Sequence, residues 1–422
     1  MVAGLVTKSL SVLVAVLVAA LSVLAAQECR FGSIASLQVR NIHNASAPAV
    51  MTIGSDDGIV IEFDELSTAA RNLRWCVEHC DARWQPDGLM DIEFTDGLNE
   101  AIVDEYSYSQ GTLSHYVHYV IRIPDERVPL KISGNYLLKV YEENAPETPL
   151  LSVRFSVAEG NAAVYAGVSA KTDIDYMKSH QQLEIMVDTK ATGVRNPYTD
   201  LIVLVEQNPG DRERIELTTP SSVRGSEVRY EHLRPLIFNG GNEYRRFETV
   251  STSYSGKGVD KIEHTADGYF AILYKDEPRS AAGYQYDRTQ NGRFTIREYN
   301  SDRSDTEAEY VHTLFIFESP KIPGVEVHLD GEFTGGRLDN SSRMEYNPYT
   351  GCYEKTMYLK QGAYDYRYVT VKPGGKSVSF ALTEGNYCDT GNQYIIYVYY
   401  RLPGEQYDRL AAVGGATVFD SK

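Results

Sequence analysis

Tryptophan and basic charge are scarce in this sequence, and the familiar catalytic signatures are missing. It carries no serine nucleophile elbow, phosphate-binding glycine loop or dinucleotide fingerprint, which removes the motif-defined hydrolases, nucleotidases and dehydrogenases. Lys and Arg number 41 against 58 Asp and Glu, for a net charge of −17. Affinity for nucleic acid comes mainly from basic groups neutralising phosphate, so that partner class is disfavoured, as are anionic lipid surfaces. Past the N-terminus no apolar run is long enough to span a bilayer as a helix. There is no long amphipathic helix and no exact short repeat. Cysteine is also sparse, at 5 residues.

What is present begins with an export pattern. Lys8 precedes an apolar run from Leu10 to Ala26 that ends in Val23-Leu24-Ala25-Ala26. A short positive region, an apolar core and a small-residue exit predict a signal peptide over residues 1–26. The run approaches spanning length, but no positive cluster follows it to hold an anchor. Cys29 raises the question of lipidation; the preceding residue is Glu28, where lipid attachment wants a small one. The remaining chain has room for two to four domains. An exported, acidic chain suggests a binding or structural role outside the cytoplasm. Five cysteines cannot all pair, and Cys352 with Cys388 is the expected bridge.

The rest of the chain is punctuated β structure. Runs of five to eight residues, rich in Tyr, Val and Ile, recur between Gly, Pro, Asn and Asp. Leu37 to Ile42, Ile59 to Phe63, Leu73 to Cys80, Val117 to Ile123, Tyr136 to Tyr141 and Leu151 to Val157 form the first series. Such spacing predicts an all-β chain of tandem β-sandwiches, immunoglobulin-like or early-set-like. The expected boundaries are 27–159, 160–320 and 321–422, with Pro320-Lys321-Ile322-Pro323-Gly324 read as a linker.

The stretch from Arg71 to Ser109 concentrates the reactive residue types. It holds both tryptophans, Trp75 and Trp84, and the group Cys76, His79 and Cys80. A zinc site needs four converging ligands, and no second Cys or His pair matches this one. On a strand the two cysteines share a face and His79 points the other way, so a thiol–imidazole pair is not made either. No metal and no cofactor is expected. The loop with Asp91, Glu93, Asp96, Glu100, Asp104 and Glu105 supplies carboxylates, but nothing in the sequence pairs two of them across a substrate. Asp56-Asp57-Gly58 and Asp173 with Asp175 lack the spacing of a calcium loop. His115 and His118 read as surface or sheet residues, and the tryptophans as anchors of the first domain.

Several phrases occur in one order along the chain: His79–Pro86, Phe94–Glu100, Ser133–Tyr141, Thr172–Asp175, Ser179–Gln182, Arg195–Tyr198, Gly240–Phe247 and Asp305–Val311. Taken together they resemble the plug protein of the type IX secretion system of Bacteroidetes. The resemblance implies a non-enzymatic periplasmic protein. It would dock on the large outer-membrane β-barrel translocon and close its periplasmic opening when no substrate is passing. It supplies no catalytic residues. Docking surfaces favour aromatic and Arg anchors, and on composition the candidates are Tyr244, Arg245, Arg246, Phe247, Tyr284, Tyr286 and Arg288. The C-terminal stretch Val325–Phe333, with Asn347–Gly351 and Gly362–Val369, also resembles early-set sandwiches related to glycogen-binding modules. That implies an alternative role as a cell-envelope carbohydrate-binding protein. Those modules stack sugars on tryptophan, and this region has none.

Overall fold

The computed structural model describes residues 28–29, 33–208, 214–375 and 377–418; the predicted signal peptide lies outside them. The chain is all-β, and its described residues form six sheets arranged as three sandwiches. Period-two alternation explains the elements. In Ile59–Glu65 the side chains of Ile59, Ile61 and Phe63 enter the first core, while Glu62 and Asp64 point to the other face. Val117–Ile123 repeats the pattern, with Val117, Tyr119 and Ile121 inward and His118 outward.

The first sandwich packs a sheet of Ile34–Asn41, Ile59–Glu65, Val117–Ile123 and Glu105–Tyr108 against a larger one. The larger sheet is centred on Leu73–Cys80, Gly134–Glu142 and Leu151–Ala158, all antiparallel neighbours. Trp75 is buried in the core between the two sheets.

The other two sandwiches are not in tandem. One sheet of the middle unit holds Ala163–Ser169, His180–Asp188 and Glu227–Tyr230. The other holds Arg214–Leu217, Leu201–Gln207, Gln393–Tyr400 and Arg409–Thr417. The last two strands of the described chain therefore complete the middle core, where Tyr394, Ile396 and Val398 meet Leu183, Ile185 and Val203. Residues 240–392 are inserted between the halves of this split unit. They form their own sandwich, with Arg245–Glu248, Gly362–Val371 and Phe294–Ile296 in one sheet. The facing sheet holds Val259–Thr265, Gly268–Leu273, Tyr310–Glu318 and Cys352–Lys360.

This corrects the expected boundaries at 320 and 321. Pro320–Gly324 joins Tyr310–Glu318 to Glu326–Asp330, strands in opposite sheets of the inserted sandwich. Proline and glycine mark a crossing between sheets as readily as a boundary between domains. The expected Cys352–Cys388 bridge is not formed, because both thiols are free and buried. Cys352 begins a strand inside the inserted sandwich, whereas Cys388 lies at the seam with the split unit, its backbone N–H donating to Lys178.

Candidate functional site

The reactive-looking cluster on Leu73–Cys80 is inert. Burial pushes the Cys76 thiol up to about 11 and the Cys80 thiol up to about 12, so both stay protonated and non-nucleophilic at neutral pH. His79 points into the first sandwich. Its Nδ1 lies 2.5 Å from Asp87 Oδ2 and its Nε2 lies 3.1 Å from the Ser133 carbonyl. Both nitrogens face oxygen atoms inside the sandwich and are closed off from solvent. Burial raises the Asp87 carboxyl, but the hydrogen bond and charge of His79 outweigh it and hold it below the usual range. Gly134 makes room for the ring: at φ +139° a Cβ there would sit 2.3 Å from His79 Nε2. This histidine–carboxylate pair fixes the loop that carries Trp84.

The acidic loop is likewise committed to local structure. Glu93 Oε2 accepts the Met90 N–H at the start of a single helical turn. Glu100 takes Arg74 and the Tyr141 hydroxyl, Glu105 takes Arg122, and Asp104 takes Arg127. Asp57 Oδ1 receives Asn41 and the Gly58 N–H. Asp175 gathers Thr172, Ser179 and His180.

The contacts between units are more informative. Between the first and split units, Ala82 and Ala158 pack on Leu204, Ile395, Tyr397, Tyr399 and Leu410. Trp84 closes the edge of that contact. The guanidiniums of Arg154 and Arg214 both lie over its indole, 4.9 and 5.6 Å from the ring centre. Arg409 reaches Glu159 at 3.0 Å, and the Tyr399 hydroxyl bonds Asn135 at 2.9 Å.

Between the first and inserted units the contact is polar and partly buried. Asp64 is fully buried; its Oδ1 faces His118 Nδ1 at 2.8 Å. Its Oδ2 receives Lys360 Nζ at 2.6 Å and the Tyr310 hydroxyl at 2.7 Å. Because the Tyr310 O–H donates its hydrogen bond to the carboxylate, Ser36, 2.7 Å away, donates to Tyr310. The Lys360 ammonium also bonds the Asp305 carbonyl and sits 4.1 Å from the centre of the Tyr116 ring. Burial alone would raise the Asp64 carboxyl; Lys360 and His118 outweigh it and hold it below its ordinary range. Arg40 adds a two-pronged pair with Glu332 at 2.8 and 3.0 Å.

The predicted docking residues divide between core and surface. Tyr244, Arg245 and Phe247 are buried, and Arg246 is half-buried. Phe247 stacks with Tyr364, Arg245 pairs with Glu384 and Asp276, and these contacts lie within the inserted sandwich. Tyr284 is half-buried with its hydroxyl on Glu243, whereas Tyr286 and Arg288 are exposed. The Gly331–Thr334 turn of the glycogen-module-like phrase is docked against the first unit through Glu332 and Arg40. A surface that sequence reasoning missed lies just past Trp84, where Met90, Ile92 and Leu98 are 67%, 72% and 79% exposed on one loop. Three large apolar side chains between acidic residues were the available signal.

Residues 34–159 match the family model for the type 9 secretion system plug protein first domain. Over most of its length the chain is similar to a hypothetical protein from Parabacteroides merdae whose crystal structure is solved. Identity is 36%, the TM-score is 0.90, and the match covers 94% of this chain and 100% of that one. An alkylpurine DNA glycosylase from Pseudomonas fluorescens aligns over 32% of the chain at 14% identity with a TM-score of 0.18, too little to carry an argument. No curated protein matches the sequence.

Proposed function

We propose, from the premise that this chain belongs to the family of type 9 secretion system plug proteins, that it is a non-enzymatic periplasmic plug. It binds the outer-membrane β-barrel translocon of that system and closes the barrel's periplasmic opening. The match of the first sandwich to the plug domain carries the reading. The physical character of the chain supports it. A plug must hold its shape against an opening, and here three sandwiches are joined by an apolar contact on one side and a buried ionic contact on the other. Chemistry is not favoured, since the thiols, the histidine and most of the carboxylates singled out as reactive are protonated, capped or paired locally. Among the described residues no helix is long and apolar enough to cross a membrane, in keeping with attachment through a partner.

The test is affinity capture of the tagged protein from native envelope in gentle detergent. Recovery of a very large barrel protein in a complex with it is the expected outcome. Its absence, with the tagged protein folded and abundant, overturns the proposal.

A further inference from the structure

We propose that Glu62 and His118 of the first sandwich, with Asp305 of the inserted sandwich, bind a first-row divalent cation that ties these two units together. One ligand atom from each of the three side chains can be chosen so that all lie within 4.8 Å of one another. His118 Nε2 is 4.0 Å from Glu62 Oε1, a separation that small side-chain shifts bring to the geometry of two ligands on one ion. The strand register makes the first half of the site. Ile59–Glu65 and Val117–Ile123 pair with Asp64 opposite His118 and Glu62 opposite Val120, so all these side chains emerge on the face that the inserted unit covers. Asp305 comes from the single helical turn Ser304–Glu307 that packs over this face.

Two features beyond proximity point to a metal. First, the imidazole is already oriented. Asp64 Oδ1 lies 2.8 Å from Nδ1 and holds the ring so that Nε2 is the nitrogen on the Glu62 side, 4.0 Å from its Oε1. A buried carboxylate behind a histidine is the usual support for a metal-ligating imidazole. Second, the charges are left over in the right number. Lys360 neutralises Asp64, Arg122 is paired with Glu105, and Arg40 is paired with Glu332. Among the described residues neither Glu62 nor Asp305 has a Lys or Arg partner, and both lie beside the imidazole, a pair of acidic side chains that a dication would bridge. One nitrogen and two oxygens suit zinc, with manganese and cobalt next, and solvent would complete the coordination at the Asp305 side, which is exposed.

The test uses the full mature chain, stripped with chelator, and zinc chloride as the probe. Calorimetry is expected to give one saturable site per chain, with a matching rise in melting temperature. E62Q and D305N keep the shape of the contact and should each weaken zinc about tenfold or more; H118N should do the same. Should H118N unfold because it also loses Asp64, the two carboxylate variants decide. Cobalt in place of zinc should give a visible absorption spectrum that is lost in E62Q. No saturable zinc binding, or zinc binding unchanged in both E62Q and D305N, overturns the proposal. So does equal binding of magnesium and calcium with H118N indifferent, because then the imidazole is not a ligand.

Discussion

Lys360 and Asp64 show how much of the assembly rests on single residues. Both side chains are about 1% exposed, and they belong to different sandwiches. Removing one charge strands the other in a region with little water, at a cost of about 3–5 kcal/mol. K360M should therefore lower stability to urea by that order, and D64N/K360M together should recover part of the loss. Asp175 gives a prediction in pH. Burial pushes its carboxyl up, but hydrogen bonds from His180, Ser179 and Thr172 outweigh this and hold it at about 2 against an ordinary 3.8. The folded form thus binds fewer protons than the unfolded one. Its contribution is complete above pH ~4 and is lost as pH falls toward ~2. Melting temperature followed against pH should fall more steeply in this window for the wild type than for D175N. At this scale the sequence was legible only in part. Alternation correctly separates His79 from Cys76 and Cys80, and it also places Asp64 and His118 on an outward face. Nothing local to either strand reveals that Lys360 and Tyr310 will cover that face, so His118 reads from sequence as a surface or sheet residue and the ionic centre goes unseen.

The strands themselves were readable where polar and apolar residues alternate, as in Leu73–Cys80, Val117–Ile123 and Leu151–Ala158. Period two states which face a side chain takes, but not which strand lies beside it. That is why Gln393–Tyr400, whose antiparallel partner Leu201–Gln207 lies on the far side of the insertion, was assigned to the wrong sandwich. The seam of the insertion is tightly built. Asn392 donates to the Gly240 carbonyl at 2.7 Å, and Gln181 holds the Cys388 and Thr390 carbonyls at 2.8 Å each. A Cβ on Gly240 would lie 2.1 Å from the Tyr387 carbonyl oxygen. Since the two chain crossings meet here, residues 241–391 should fold alone as a sandwich. A fragment from Val325 to Lys422 should not, because it lacks Arg245–Glu248, Val259–Thr265, Gly268–Leu273 and Tyr310–Glu318 and carries two strands of another core. Circular dichroism melts of the two fragments check this: a cooperative transition is expected for the first and none for the second.

On the scale of the whole molecule, the proposed plugging demands a surface that is exposed, shaped and free of structural duty. The segment Tyr244–Phe247 fails this requirement, since its aromatic residues are core. The loop with Tyr286 and Arg288 meets it in part, although its Asp287 is paired with Lys257 and Arg246. Met90, Ile92 and Leu98 meet it best. They stand out from the sandwich that matches the plug domain, on a loop held from behind by the His79–Asp87 pair. Exposed apolar groups of this size in an acidic surround are the kind of patch that marks a binding surface. Replacing all three by serine should leave the melting temperature within about 2 °C, because exposed side chains contribute little to folding. The same variant should reduce recovery of the barrel partner at least about tenfold, the effect of losing roughly 1.4 kcal/mol or more of buried apolar contact. Deleting Gln285 to Asn291 is the paired comparison. If the apolar loop is the main anchor, this deletion reduces recovery less than the triple serine variant does. A triple variant that captures the barrel as well as the wild type removes the apolar loop from the docking surface and leaves the Tyr286 loop as the anchor to test.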